Sequence, residues 1–422
     1  MHRSRSMRRV KLALTSMLVA LSMPGTSAAE QGRLPTGVVA GDMELSPFYR
    51  WDARLPEKPG VLLREEALPR QHDMDAADVS LRILYTSTDV RWRSGQIPVS
   101  GTLYLPSGAA PSGGWPLLAW GHGTAGIADT CAPSWTTHDT RDATYLNRWL
   151  AAGFAVVVSD YQGLGGPGPH PYLYWQAEAR SILDSVRTAF AARPDLIANR
   201  VVIAGQSQGA GAALGVARLA HEYAPEVHVL GIVATGPNST FPDGPVALPV
   251  RNSSNMFLSF ASGGLRDEGP KIDDIVSPRG QQLLALSRRA CPEELGALAQ
   301  SLKVRKLSDT LSISLEQLAP NRIPVTDMPM GPVNVPLLIA TGLADDTVEP
   351  LRQYAVVAAL CASKNDVTWR RYDGLDHDEA LHGSFDDSLA FARSLLAGEK
   401  VSGNCSGISP LGAPVVQESL RR

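Results

Sequence analysis

Three features that mark common protein classes are missing from this sequence. Beyond residue 23 it contains no apolar run of the roughly 20 residues that a membrane-spanning helix requires. It carries no excess of basic charge, since the formal net charge is −3, and it contains no Cys-x-x-Cys pair. These absences argue against a transmembrane segment, a nucleic-acid-binding face, and a zinc ribbon or thioredoxin-like site. We predict neither a metal nor a cofactor.

What remains is the composition of a globular protein. Apolar residues make up 44% of the chain and charged residues 19%. No internal repeat or low-complexity tract interrupts the sequence. A length of 422 residues suits one large domain with an insertion, or two domains.

The N-terminus has the features of a secretory signal peptide. Five basic residues within the first eleven precede the apolar run "LALTSMLVALSM" at 12–23, and the small residues "TSAA" follow at 26–29. We predict a signal peptide over 1–29, with Ala29 the last residue removed, and a secreted or periplasmic protein; an amphipathic surface helix is the alternative. Cleavage would take the formal charge from −3 to about −8, which favours a neutral or apolar small-molecule partner or a polymer of such units.

The cysteine count fits export. The four cysteines are Cys131, Cys291, Cys361 and Cys405. An even number in an exported chain favours disulfide bonds, with free buried thiols as the alternative.

The hydrophobic pattern predicts an α/β fold. Residues 30–75 are rich in proline, charge and turns and indicate an extended arm, and 81–90 and 98–106 alternate as paired antiparallel strands do. Nearly continuous apolar runs then alternate with helical segments, as in a mostly parallel sheet with helices on both faces. This rhythm breaks over 238–332 and then resumes. We therefore predict a core over 30–237 and 333–422, with a helical cap inserted at 238–332.

The stretch "RVVIAGQSQGAGAALG" at 200–215 contains the strongest catalytic signal. Its Gly-x-Ser-x-Gly centres on Ser207, between a predicted buried strand and a helix of small residues. A nucleophile elbow turns so sharply there that side chains at the two glycine positions would collide. We predict Ser207 as a nucleophile at the N-terminus of a helix.

A serine nucleophile needs a base and an orienting acid, which follow it in that order in this kind of fold. "TGLADDTVEP" and "YDGLDHDEALHG" each follow a predicted strand. The turn register favours Asp345 over Asp346 as the acid. His377 directly follows its strand and is the predicted base, whereas His382 is expected on or near the last helix.

"GHGTAG" at 121–126 ends an early strand and is suited to stabilise an oxyanion. We expect two backbone donors, the N–H groups of Gln208 and Thr124, with the threonine hydroxyl as a third. His122 beside it is expected to be structural. Tyr161, which follows another strand, is a candidate substrate contact.

Together these motifs resemble those of the secretory lipase family of α/β-hydrolases. The resemblance rests on "GHGTAG", "CAPS", "SDYQGLG", "GQSQG" and "GLADDTV" and extends over most of 47–400. It implies serine carboxylic-ester hydrolysis by Ser207, Asp345 and His377 without a metal, and a lid-like cap. It also implies the disulfides Cys131–Cys291 and Cys361–Cys405. The "LDH" around His377 departs from the family, which often has glycine there.

The residues leave several points open. An acyltransferase or a peptidase would use the same triad, and a silent α/β-hydrolase could serve as a binding protein. Lipids, short esters and polyesters all remain possible substrates, and the oligomeric state is open. From the cap we expect Met256, Phe257, Phe260 and Leu284 to line an acyl pocket, with Phe257 and Phe260 as substrate-binding residues.

Overall fold

The computed structural model describes residues 43–72, 74–91, 95–168, 170–237, 272–314, 317, 328, 331–409 and 411. The predicted signal peptide, Met256, Phe257 and Phe260 lie outside these ranges. Within them no helix is both long and apolar enough to cross a membrane.

The described residues form one sheet of nine strands, in the order β1-β2-β3-β5-β4-β6-β7-β8-β9. The first three strands and β5 pair antiparallel, and all pairs from β5 through β4 to β9 are parallel. The strands are β1 Leu62–Ala67, β2 Ala77–Thr88, β3 Gln96–Pro106, β4 Trp115–Gly121, β5 Ala155–Ser159, β6 Ile197–Gln206, β7 Val229–Thr235, β8 Leu337–Gly342 and β9 Val367–Tyr372.

The helices follow the parallel strands or belong to the insertion. They are α1 Pro133–Thr136, α2 Thr140–Ala151, α3 Trp175–Ala192, α4 Gln208–Tyr223, α5 Ile272–Ile275, α6 Pro278–Ser287, α7 Pro292–Ser301, α8 Pro350–Ala362, α9 Glu379–Gly383 and α10 Phe385–Leu396. Short 3-10 helices cover Arg70–His72, Asp129–Cys131, Leu307–Thr310 and Cys405–Gly407.

Helices cover both faces of the parallel part of the sheet. Along β5, Ala155 and Val157 pack into the apolar cluster that contains α3 and α4, whereas Val156 and Val158 pack into the cluster that contains α2 and α10. Every residue of β5 is buried. The strands are almost continuously apolar because helices bury both faces of the sheet, as the sequence pattern predicted. The predicted mostly parallel α/β fold is confirmed.

One strand was not predicted. The expected extended arm contains β1, which pairs antiparallel with β2 at the edge of the sheet. Its sequence, LLREEA, has no period-two alternation, and the last three residues are exposed. An edge strand that buries neither face fully gives little hydrophobic signal.

The described part of the insertion is helical and packs on the core. Side chains of 272–311, among them Leu284 and Leu295, form a buried cluster with Ile127 and Tyr172 from the loops after β4 and β5. The disulfide Cys131–Cys291 ties this insertion to the same loops, and Cys361–Cys405 joins α8 to the C-terminal segment. These are the pairs that the family resemblance implies. The predicted insertion boundaries, 238 and 332, stay a prediction.

Candidate active site

Ser207 lies at the turn between β6 and α4. The strand ends at Gln206, the helix begins at Gln208, and Ser207 between them has φ 57° and ψ −119°. A positive φ is unfavourable for a residue with a side chain and persists only where the surroundings enforce it. The backbone therefore has the sharp, strained turn of a nucleophile elbow.

Close backbone contacts explain the two glycines that flank the serine. A Cβ on Gly205 would collide with the backbone of Gly209 and Ala210 one turn later. A Cβ on Gly209 would collide with the carbonyl oxygen of Gly121, at the end of β4. The glycines thus allow both the tight turn and the approach of the "GHGTAG" loop to the start of α4.

The structure brings Asp345 and His377 together. Nδ1 of His377 lies 2.6 Å from Oδ2 of Asp345. The carboxylate also accepts from Gln353 Nε2 at 2.8 Å and from the backbone N–H groups of residues 347 and 348. Asp345 is buried, whereas Asp346 is exposed. A carboxylate fixed by four hydrogen bonds can hold an imidazole in one orientation and stabilise its positive charge.

His377 is also held to the elbow. Gln206, the residue before Ser207, donates from Nε2 to the backbone carbonyl of His377 at 3.1 Å. Gly236 packs on the histidine ring so closely that a Cβ there would lie 3.1 Å from Cε1, and the preceding residue, Thr235, accepts the N–H of Ser207 at 2.9 Å. Nε2 of His377 is buried and has no hydrogen-bond partner among the residues that the structure describes, so it is available to accept a proton.

The residues around His377, where "LDH" departs from the family pattern, contact the start of α9 and helix α2. Oδ1 of Asp376 accepts from the N–H groups of Asp378 and Glu379, at 3.0 and 2.8 Å, where α9 begins. Arg141 on α2 donates to Asp378 at 2.6 Å. The Asp376 carboxylate thus holds the turn that leads from His377 into α9, a contact that glycine has no side chain to make. His382 lies on α9, partly buried, with its ring 6.4 Å from that of Tyr145.

Of the two predicted oxyanion donors, Gln208 directly follows Ser207. Thr124 follows Gly123, at which a Cβ would lie 2.9 Å from the side-chain oxygen of Gln206. Gln208 is the first residue of α4, so its N–H is among those that have no acceptor within the helix. Thr124 lies in the loop after β4, partly buried, and its Oγ1 is 2.8 Å from the hydroxyl of Tyr172. Their roles as donors stay predictions.

Tyr161 lies beneath the site. The side chain has no exposed surface, its ring stacks on His122 at 4.3 Å, and its hydroxyl donates to the carbonyl of His122 at 3.1 Å. Burial raises the pKa of this hydroxyl well above its usual value. In this position Tyr161 supports the "GHGTAG" loop, and a contact with substrate stays a prediction. His122 is buried with Nδ1 2.6 Å from the carbonyl of Gly123, which fits the structural role expected of it.

Several residues contact the site although the sequence patterns did not predict a role for them. Gln206 and Gln353 contact His377 and Asp345, and Tyr172 and Glu178 contact Thr124 and Gln208. The one sign of these contacts in the sequence is the position of Ser207 between two glutamines.

The chain is similar to one known protein family and to several solved structures. A family model described as secretory lipase matches residues 130–281. Candida antarctica lipase A in its closed state is similar, with 19% identity, a TM-score of 0.66, and coverage of 88% of this chain and 90% of that one. A ligand-bound rice cell wall degrading esterase from Xanthomonas oryzae has 18% identity, a TM-score of 0.64, and coverage of 81% and 100%. A putative hydrolase from Legionella pneumophila has 17% identity, a TM-score of 0.65, and coverage of 80% and 99%.

No curated protein matches the chain significantly. The solved structures share the fold, and the family match supports a hydrolase of the lipase and esterase class. Together with the two disulfides, it fits an extracellular protein. Over residues 130–281, the resemblance of this chain to the secretory lipase family is confirmed.

Proposed function

We propose that this protein is a secreted serine carboxylic-ester hydrolase, with Ser207 as nucleophile, His377 as base and Asp345 as orienting acid. The observation that carries the proposal is the 2.6 Å contact between Asp345 and His377. The backbone carbonyl of His377 is in turn hydrogen-bonded to Gln206, the residue before Ser207. The strained backbone of Ser207 supports the same assignment.

In the proposed first step, Ser207 Oγ attacks the ester carbonyl while Nε2 of His377 takes its proton. Since Nδ1 faces the Asp345 carboxylate, that nitrogen keeps its hydrogen and Nε2 presents its lone pair. The carboxylate stabilises the imidazolium that forms. His377 then returns the proton to the leaving alcohol, which departs and leaves an acyl-enzyme.

The negative charge of the tetrahedral intermediate lies on the former carbonyl oxygen, which needs hydrogen-bond donors around it. The N–H groups of Gln208 and Thr124 are the proposed pair, and the N-terminus of α4 adds a positive dipole end. Water, activated by the same histidine, then cleaves the acyl-enzyme. Removal of one such donor typically lowers kcat by about 10² to 10³.

The apolar side chains of the insertion support the proposal that the substrate is an ester with an apolar acyl group. Its described helices pack through leucine and isoleucine side chains on the loops that border the site. Leu284, one of the predicted pocket residues, is buried in this cluster, and its contact with an acyl chain stays a prediction. Phe257 and Phe260 remain the proposed substrate contacts. Each buried methylene of an acyl chain would contribute about 0.8 kcal/mol to binding.

Hydrolysis of a series of nitrophenyl esters from acetate to palmitate tests this function. We expect acid release, followed in a pH-stat, to match nitrophenol release, with a dependence on chain length. A run with added alcohol separates hydrolysis from acyl transfer, because a transferase would form the new ester in preference to the acid. The absence of turnover on every ester would refute the proposal and favour a silent binding protein.

A further inference from the structure

Tyr172 belongs to two environments at once. Its ring is fully buried in the apolar cluster that contains the described helices of the insertion, including Leu284 and Leu295. Its hydroxyl lies 2.8 Å from Oγ1 of Thr124, in the loop proposed to stabilise the oxyanion. A single side chain thus connects the insertion to the catalytic loop.

The direction of this hydrogen bond decides what Thr124 can do. Burial raises the pKa of the Tyr172 hydroxyl above its usual value, so the group stays protonated over the neutral pH range and can donate. When Tyr172 donates to Thr124 Oγ1, the threonine hydrogen is left free to point elsewhere. A hydrogen bond from Tyr172 also polarises the Thr124 hydroxyl, which strengthens the hydrogen bond that Thr124 donates in turn.

The segment that contains Tyr172 also contacts Gln208, whose backbone N–H is the other proposed oxyanion donor. Nε2 of the Gln208 side chain lies 2.8 Å from His170 Nε2 and 2.8 Å from Glu178 Oε1. The Nδ1 atom of His170 lies 2.8 Å from the carbonyl of Gln162, which fits a neutral imidazole that donates from Nδ1 and accepts at Nε2. Glu178 also accepts the N–H of Leu173 at 2.9 Å. Residues 170–178 therefore contact both Thr124 and Gln208.

We propose that Tyr172 is a positioning residue of the oxyanion hole, which orients the Thr124 hydroxyl as a third donor and makes this orientation depend on the packing of the insertion helices. The inference rests on the proposed ester hydrolysis and adds to it. Packing alone would account for the buried ring but would not require a hydroxyl aimed at the catalytic loop.

The substitution Tyr172→Phe removes only the hydroxyl. For nitrophenyl acetate we expect kcat to fall about tenfold while KM stays within about twofold, since the lost contact acts on the transition state. The inhibition constant of an alkyl boronic acid, whose tetrahedral anion resembles the intermediate, should rise by a similar factor. Tyr223→Phe is the matched control. Tyr223 ends α4, far from Ser207 along that helix, and its hydroxyl donates to Asp184 on α3, so kcat should not change.

Variants of Thr124 test the proposal even if Tyr172→Phe does not fold. We expect Thr124→Val to lower kcat about 100-fold, Thr124→Ser to restore most of that loss, and the double variant Thr124→Val/Tyr172→Phe to be no worse than Thr124→Val alone. Equal activity of the valine and serine variants would overturn the inference. So would full activity of Tyr172→Phe, or losses that simply multiply in the double variant.

Leu284→Ala tests the dependence on the insertion. Its side chain packs in the cluster that contains Tyr172. We expect kcat on acetate to fall severalfold, although so small an acyl group needs no extended pocket. An unchanged kcat on acetate would overturn the coupling. In all these tests, a wild-type protein without esterase activity would instead refute the proposed function itself.

Discussion

The side chain of Gln206 donates to the backbone carbonyl of His377 across 3.1 Å, although 171 positions separate the two residues in the chain. Gln206 is fully buried and ends the strand that leads into Ser207. The position of the proposed base is therefore fixed relative to the proposed nucleophile through one amide side chain. An error of about 1 Å in such a position can lower a rate about 100-fold.

We predict that Gln206→Leu lowers kcat on nitrophenyl esters by about 10- to 100-fold, because the loop that carries His377 loses its tie to the elbow. The same replacement at the exposed Gln300 on α7 serves as the control and should have no effect. Steady-state kinetics on folded variants provide the test. A Gln206→Leu protein with wild-type kcat would show that this hydrogen bond does not position the base.

The two neighbouring aspartates should differ sharply. Asp345→Asn replaces the carboxylate that lies 2.6 Å from His377 and should lower kcat by about 10⁴. Asp346 is exposed, so Asp346→Asn should change kcat by less than about threefold. Rates measured on both variants under one set of conditions decide the assignment. Loss of activity in the Asp346 variant alone would reverse it.

Local sequence patterns predicted the parallel strands, the elbow and the turn that carries Asp345, because each depends on residues that are close in sequence. Apolar runs identify buried strands, and the glycines around Ser207 are imposed by contacts within one turn and with the neighbouring strand. Edge strand β1 was missed, since its exposed charges hide the strand pattern. The amide contacts of Gln206 and Gln353 were missed because a glutamine in a sequence does not reveal where its side chain points in the fold.

The buried carboxylate of Asp184 should make stability depend on pH. Burial raises its pKa to about 6, despite hydrogen bonds from Ser87, Tyr223 and Arg187. Since the folded state binds this proton more tightly than the unfolded state, the contribution of Asp184 is largest below about pH 4 and decreases as the pH rises to about 6.

Urea unfolding at several pH values tests this prediction. We expect the destabilisation caused by Asp184→Asn to decrease between about pH 4 and pH 6, by no more than about 3 kcal/mol. Above pH 6 the difference between the two proteins should be constant. A difference that grows over the same interval would mean that the interaction with Arg187 holds the pKa of Asp184 below its usual value.

The disulfide between α8 and the C-terminal segment should stabilise the fold and leave the chemistry unchanged. Cys361–Cys405 closes a loop of 44 residues, and its replacement by two serines should lower the free energy of unfolding by about 4 kcal/mol in the chain-entropy model. The value of kcat at 25 °C should be retained. Peptide mapping without reductant should recover this pair and Cys131–Cys291, and a peptide that joins Cys131 to Cys361 or Cys405 would contradict the pairing.

Reaction with an alkyl fluorophosphonate, followed by peptide mass spectrometry, tests the central claim most directly. We expect a single adduct on Ser207 of the wild-type protein and a matching loss of ester hydrolysis. Ser207→Ala, shown to be folded by circular dichroism, should form no adduct and should have a kcat lower by about 10⁵ to 10⁶. An adduct on another residue, or a folded Ser207→Ala protein that keeps more than a small fraction of its activity, would contradict the assignment of Ser207 as the nucleophile.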